Sequence, residues 1–244
     1  MYLETKHIIN TFKLKASILT IALLFSFSLF SQITKQIPLD SFNAITLEGA
    51  SSFVLIPSTQ NKVELIIETE DIMDYIKINV ENKQLFINTT GKNKNISKIS
   101  SKLIFKIYFK SIQRVEFEGA GKLTTEGTIK AQKLVAKLKG AGSMNLKINS
   151  YNFTGRMNGA GSLTVKGKCE NSNLKLSGVG SIKASQLNSK KTVAMVNGIG
   201  QIKVFASKLL EAEVNGIGSI YYAGKPVTRN FSTNGLGSIK PFEN

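Results

Sequence analysis

Gly178-Val179-Gly180-Ser181-Ile182, Gly198-Ile199-Gly200-Gln201-Ile202 and Gly216-Ile217-Gly218-Ser219-Ile220 are three copies of one motif, a glycine-bracketed turn followed by an apolar residue. The turn also occurs as Gly119-Ala120-Gly121, Gly140-Ala141-Gly142, Gly159-Ala160-Gly161 and Gly235-Leu236-Gly237. Successive first glycines lie 21, 19, 19, 20, 18 and 19 residues apart. A degenerate copy, Gly49-Ala50-Ser51, stands far upstream. A period of this length describes a stacked array, in which each unit buries its apolar face only against its neighbours.

Aligning the copies on their glycines exposes apolar columns. Two residues past the second glycine stand Leu123, Met144, Leu163, Ile182, Ile202, Ile220 and Ile239. Two residues before the first stand Phe117, Leu138, Met157, Leu176, Val196, Val214 and Thr233. Glu116, Lys137, Arg156, Lys175, Met195, Glu213 and Ser232, mostly polar, alternate with these, the period-two pattern of strands with one buried face. Each unit therefore reads as strand, Gly-x-Gly turn, strand, then a looser corner such as Lys168–Asn171 or Gly224–Pro226.

A hairpin meander competes with this reading, because Asn-Gly favours tight hairpin turns. A meander has no reason to keep one turn chemistry at every second corner. Coils stacked about 4.8 Å apart put like on like and do keep it. The fold class is all-β, a parallel β-helix-like solenoid of about seven coils of ~19 residues over 112–244, led by a β region at 32–111. That region opens with a first coil and carries an antiparallel strand insertion: Phe53–Pro57, Val63–Glu68, Ile76–Val80, Gln84–Asn88 and Lys102–Phe109. Asp71–Tyr75 reads as one helical turn opened by an Asp cap, and Lys92–Lys102 as a loop.

The glycines predict corners with positive φ. The residue between them grows from Ala120, Ala141 and Ala160 to Val179, Ile199, Ile217 and Leu236, which predicts more packed apolar volume toward the C-terminus. Asn158, Asn197, Asn215 and Asn234 precede the turns, and stacked amides bond along such columns. A phosphate cradle is excluded, since no helix pattern or Lys-Ser/Thr pair follows any copy. Calcium-binding solenoid repeats need a regular aspartate that is missing here.

Residues 1–31 read as a signal peptide: Lys6, Lys13 and Lys15, then an apolar run from Ala16 to Phe30 that is short for a spanning helix. The expected location is outside the cytoplasm: periplasmic, outer-surface or extracellular. The chain carries 32 basic and 16 acidic residues. Without Lys6, Lys13, Lys15 and Glu4 the balance is 29 against 15, or +14. Such a charge favours anionic partners. The one cysteine, Cys169, forms no intrachain disulfide.

The order of these segments resembles a known family. Phe42-x-x-Ile45-x-Leu47-x-Gly49, the strand at 63–67, the Asp71–Tyr75 turn with the Ile76–Ile87 strand pair, and Asn215-Gly216-Ile217-Gly218-Ser219-Ile220 are similar to the bacterial head GIN domain family. Its members are described as auto-transporter adhesin heads. The resemblance covers about 37–241. It implies an exported or surface-associated β-rich domain with solenoid character, does not imply an enzyme, and brings no catalytic residues with it; no cofactor is expected.

Solenoids also include polysaccharide lyases and hydrolases, the competing function. Such chemistry needs acids and bases converging on one groove. The only histidine, His7, lies in the signal segment. Glu116 and Glu118 lie five coils from Glu211 and Glu213, about 24 Å at the coil spacing. Cys169 has no histidine partner and reads as an inert corner residue. No metal or cofactor ligand set is read.

One outward column holds the candidate site. Three residues past the second glycine stand Thr124, Asn145, Thr164, Lys183, Lys203, Tyr221 and Lys240. The basic half, Lys183, Lys203, Tyr221 and Lys240, forms an expected strip for an acidic polysaccharide or envelope surface. Export and scarce aromatics disfavour nucleic acid, and a homo-oligomer stays open. The competing reading of these lysines is protection against edge aggregation.

Overall fold

The structure is a computed structural model that describes residues 33–67, 69–90 and 103–242. The signal segment at 1–31 and the whole Lys92–Lys102 loop lie outside the described residues. The described chain is a β-solenoid of about six turns, built as one 18-stranded sheet system.

Two parallel ladders run the length of the stack. The strands before the glycine turns are β2 (Ala44–Glu48), β6 (Gln84–Asn88), β8 (Arg114–Glu118), β10 (Ile129–Gly140), β11 (Ser143–Leu176), β13 (Leu187–Val196), β15 (Leu209–Val214) and β17 (Thr228–Thr233). They stack in the order β6–β2–β8–β10–β11–β13–β15–β17. The strands after the turns are β3 (Ser52–Pro57), β7 (Ile104–Phe109), β9 (Lys122–Thr125), β12 (Val179–Ala184), β14 (Ile199–Phe205), β16 (Ile217–Ala223) and β18 (Leu236–Pro241). They stack as β7–β3–β9–β11–β12–β14–β16–β18, with β11 serving both ladders because it runs through more than one coil. The parallel pairing rules out the meander.

The insertion closes one end of this stack. β6 and β7 lie parallel on the far side of β2 and β3, so they supply a coil of their own. The antiparallel strands β1 (Ile33–Pro38), β4 (Lys62–Ile67) and β5 (Lys77–Glu81) then cover it: β4 on β7, β1 on β4, and β5 on β6. Here Glu64 accepts from Lys62 Nζ at 2.7 Å and Tyr108 Oη at 2.9 Å. The Lys62 bond, then the Tyr108 bond, hold its carboxyl below the usual carboxylate range. The helical turn is a 3-10 turn, Glu70–Tyr75; its cap is Thr69 rather than an aspartate, and that side chain makes no capping bond.

Inside, Leu123, Met144, Leu163, Ile182, Ile202 and Ile220 are fully buried in one column. Ile239 is the exception, only partly buried because no coil follows it among the described residues. Phe53 joins the ladders near the closed end, its ring 5.1 Å from Phe105 and 5.6 Å from Phe117.

Three expectations need correction. The turn glycines do not share positive φ; Gly140 (φ 90°) and Gly200 (φ 145°) adopt it, while Gly159, Gly198 and Gly216 do not. What unites them is close approach: a Cβ at Gly159, Gly178, Gly198, Gly216 or Gly235 would collide with the carbonyl oxygen of the stacked glycine one coil earlier. The residues between the glycines are not packed inside. Val179, Ile199, Ile217 and Leu236 stack in register but stay 51 to 74% exposed. The corner at 167–171 is not loose either, because 129–131 pairs with 148–150, and 167–169 with 187–189, as a third short parallel run.

The asparagine column bonds as its chemistry dictates. Asn215 Nδ2 donates to Asn197 Oδ1 at 3.3 Å and Asn234 Nδ2 to Asn215 Oδ1 at 3.1 Å. Asn171 Nδ2 donates to Asn152 Oδ1 at 2.9 Å in a parallel column of its own.

Candidate functional site

The strand register fixes the basic strip. Thr164 pairs with Lys183, Lys183 with Lys203, Lys203 with Tyr221, and Tyr221 with Lys240. Lys183, Lys203, Tyr221 and Lys240 therefore share one outward face of the second ladder, flanked by buried Ile182, Ile202 and Ile220 on one side and buried Ala184, Val204 and Tyr222 on the other. Lys183 and Lys240 are exposed and Lys203 and Tyr221 half-buried. Lys203 Nζ sits 5.9 Å from the Tyr221 ring and 5.7 Å from the Phe242 ring, so aromatic faces hold part of its charge. Among the described residues, ion pairs form at Lys62–Glu64, Lys137–Glu116, Lys139–Glu118 and Lys190–Glu170. The strip lysines have no carboxylate partner among them. Lys183 and Lys203 lie directly opposite each other in the ladder, where like charges repel.

The acids lie elsewhere. Lys137 Nζ meets Glu116 at 2.7 Å and Lys139 meets Glu118 at 3.5 Å, each bridging adjacent coils of the first ladder. Glu213 accepts from Asn215 Nδ2 at 2.7 Å. Among the described residues no group of three or more His, Cys, Asp or Glu side chains could hold a metal ion.

The periodicity missed a second feature. On the third run, buried Ser150, Cys169 and Ser189 follow Ala131 in a column of small residues, whereas the neighbouring column on the same run carries Ile129, Ile148 and Leu187. The wall dips there into a groove of about 590 Å³. Lys130, Asn149, Lys168 and Asn188 rim one side, and Gln132, Tyr151, Glu170 and Lys190 the other. Only the aligned small residues Ala131, Ser150, Cys169 and Ser189 signal it in the sequence, and they repeat the 19-to-20-residue period without the glycines that draw the eye.

Cys169 is 8% exposed in the floor of this groove. Burial first, and the Glu170 charge second, push its thiol up to about 12. Only the thiolate is an effective nucleophile. Iodoacetamide at pH 8 should therefore leave native Cys169 unmodified over an hour and alkylate it fully in denaturant. Rapid native labelling, read by intact mass, would show an activated thiol instead.

These features stand on a fold shared with known proteins. The family model described as "Putative auto-transporter adhesin, head GIN domain" matches residues 41–226. The chain belongs to the head GIN domain family. Similar solved structures include a "putative adhesin" from Bacteroides fragilis, with TM-score 0.80 at 22% identity over 87% of this chain and 97% of that one. A "Putative lipid binding protein" from Parabacteroides distasonis has TM-score 0.68 at 22% identity, with the same coverage of each chain. A "putative adhesin" from Parabacteroides merdae has TM-score 0.58 at 19% identity, again over 87% and 97%. At these identities the structures establish the shared head GIN fold. No curated protein matches the chain. Among the described residues no helix is long and apolar enough to cross a membrane.

Proposed function

We propose that this head GIN protein is a non-enzymatic, exported or cell-surface interaction module that holds anionic envelope or extracellular polymers against the strip Lys183, Lys203, Tyr221 and Lys240. The observation that carries this reading is the register, which stacks three lysines, without carboxylate partners among the described residues, and one tyrosine on a single outward face. The adhesin description of the family supports the surface role. Lysines are hydrated point charges on flexible stems, suited to loose attraction along a polymer.

The enzyme reading is weaker on this surface. Glycoside hydrolysis pairs two carboxyl groups about 5 to 9.5 Å apart. The groove on the third run contributes one carboxylate, Glu170, and Lys190 Nζ already binds it at 2.8 Å.

The triple variant Lys183→Gln, Lys203→Gln, Lys240→Gln should fold normally, because all three side chains lie on the outer face. It should reduce binding to lipopolysaccharide or phosphatidylglycerol vesicles about tenfold or more at low salt. Wild-type binding should itself fade as the Debye length falls from ~10 Å at 0.1 M to ~3 Å at 1 M. Equal binding by wild type and triple variant would reduce the strip to a solubilising surface.

A further inference from the structure

We infer that the groove on the third run is a separate binding site for an acidic oligosaccharide laid along the stack. This site does not rest on the strip, which occupies a different face.

The first ground is shape. The groove follows the coil axis, its floor of small residues repeating once per coil and its rims formed by the residues on either side of each. A linear polymer whose units advance by about one coil keeps its register with the groove along its length. Its volume, 590 Å³, lies within the range of ligand sites.

The second ground is the chemistry of the rims. Lys130 and Lys168 stand two coils apart on one rim, with Asn149 between them and Asn188 beyond. Two coils correspond to about 9.6 Å. Asparagine amides offer both a donor and an acceptor, which sugar hydroxyls need, and the lysines offer charge for carboxylates. Tyr151 is 50% exposed on the opposite rim and presents a ring without burying it. A sugar ring packed on such a face covers apolar area while its hydroxyls stay free for the amides.

The third ground is a buried hydroxyl with nothing to bond. Hydroxyls near the same floor are saturated. Ser189 and Thr192 donate to the Phe205 carbonyl at 2.6 and 2.8 Å, and Ser172 lies 2.8 Å from Thr192. Ser150 is 6% exposed, lines the groove, and its Oγ has no hydrogen-bond partner among the described residues. A buried polar atom left unpaired is costly and uncommon, and a ligand hydroxyl or carboxylate that reached it from the groove would complete its bonding.

The test uses the full exported chain and fluorescently labelled oligogalacturonate and hyaluronan hexamers, with cellohexaose as the neutral probe. Binding is read by anisotropy at 0.15 M salt. At least one acidic hexamer should bind, with cellohexaose about tenfold weaker or worse. Tyr151→Ala and the pair Lys130→Gln, Lys168→Gln should each weaken the acidic hexamer about tenfold. Ser150→Ala should weaken it severalfold while leaving the melting temperature unchanged or higher, a combination that a purely structural serine would not show. The strip triple variant should bind the hexamer within about twofold of wild type. Failure of both acidic hexamers to bind would overturn the site, as would equal binding by wild type and the groove variants. Loss of hexamer binding in the strip variant alone would move the glycan to the strip and leave the groove empty of function. Loss of vesicle binding in the strip variant, with hexamer binding kept, would separate the two sites as proposed.

Discussion

Gly198→Ala should destabilise the solenoid by about 3 kcal/mol or more, well beyond the cost of Gly155→Ala. The two glycines lie in the same stack, yet an added methyl meets different matter at each. At Gly198 the Cβ would run into the backbone of Gly178, against its carbonyl oxygen first, with its carbonyl carbon and amide nitrogen both 2.9 Å away. Backbone in a paired ladder cannot step aside without breaking its own hydrogen bonds. At Gly155 the nearest atoms are Leu174 Cδ2 at 2.9 Å, Leu163 Cδ2 at 3.1 Å and Phe153 Cε1 at 3.1 Å. Those are the far ends of side chains, able to shift by a few tenths of an ångström. For a domain of this size each kcal/mol moves the midpoint by roughly 2 to 4 °C. Thermal melts should place Gly198→Ala about 6 °C or more below wild type, with Gly155→Ala lying between them. If the two alanine variants melt together, the glycines are not there for coil-to-coil approach.

That prediction marks where the sequence was legible and where it was not. The inner columns were open to reading, because burying one face of a strand forces period two, and stacking repeats it every coil. Ile182, Ile202 and Ile220 lie where the alternation puts them. The alignment of Lys183, Lys203, Tyr221 and Lys240 follows for the same reason: a column three residues past the glycine keeps its register once the strands are parallel. The reason for the glycines was not, since a sequence shows conformational freedom and close approach by the same letter. Nor was the fate of Val179, Ile199, Ile217 and Leu236. Apolar side chains at a corner look like core in one dimension, but the chain turns there, and they stack on one another while facing outward. The end cap also escaped, because the return of β6 and β7 to the far side of β2 is a long-range pairing that no local pattern encodes. The groove depends on what its column lacks. Four small residues a coil apart become a depression only when their neighbours are known to be large.

Ile202→Asp should have the second large effect, and it tests the stack itself. Ile202 is fully buried, with Ile182 on one side and Ile220 on the other in register. The substitution removes packing worth about 2 to 5 kcal/mol in comparable large-to-small changes. It also places a carboxylate where the column offers only aliphatic neighbours, so the acid must either stay charged at high cost or take up a proton. A buried carboxyl of this kind has its pKa raised by desolvation. The variant should therefore lose the most stability above the ordinary carboxylate range and recover part of it as the solution is acidified through the raised value. Coils in a solenoid hold one another through nearest-neighbour contacts, so the loss should spread to both flanking coils. Urea unfolding at pH 7 and pH 4 reads both effects. A variant as stable as wild type at pH 7, or one whose deficit is unchanged at pH 4, would show that position 202 does not lie in the closed interior of the stack.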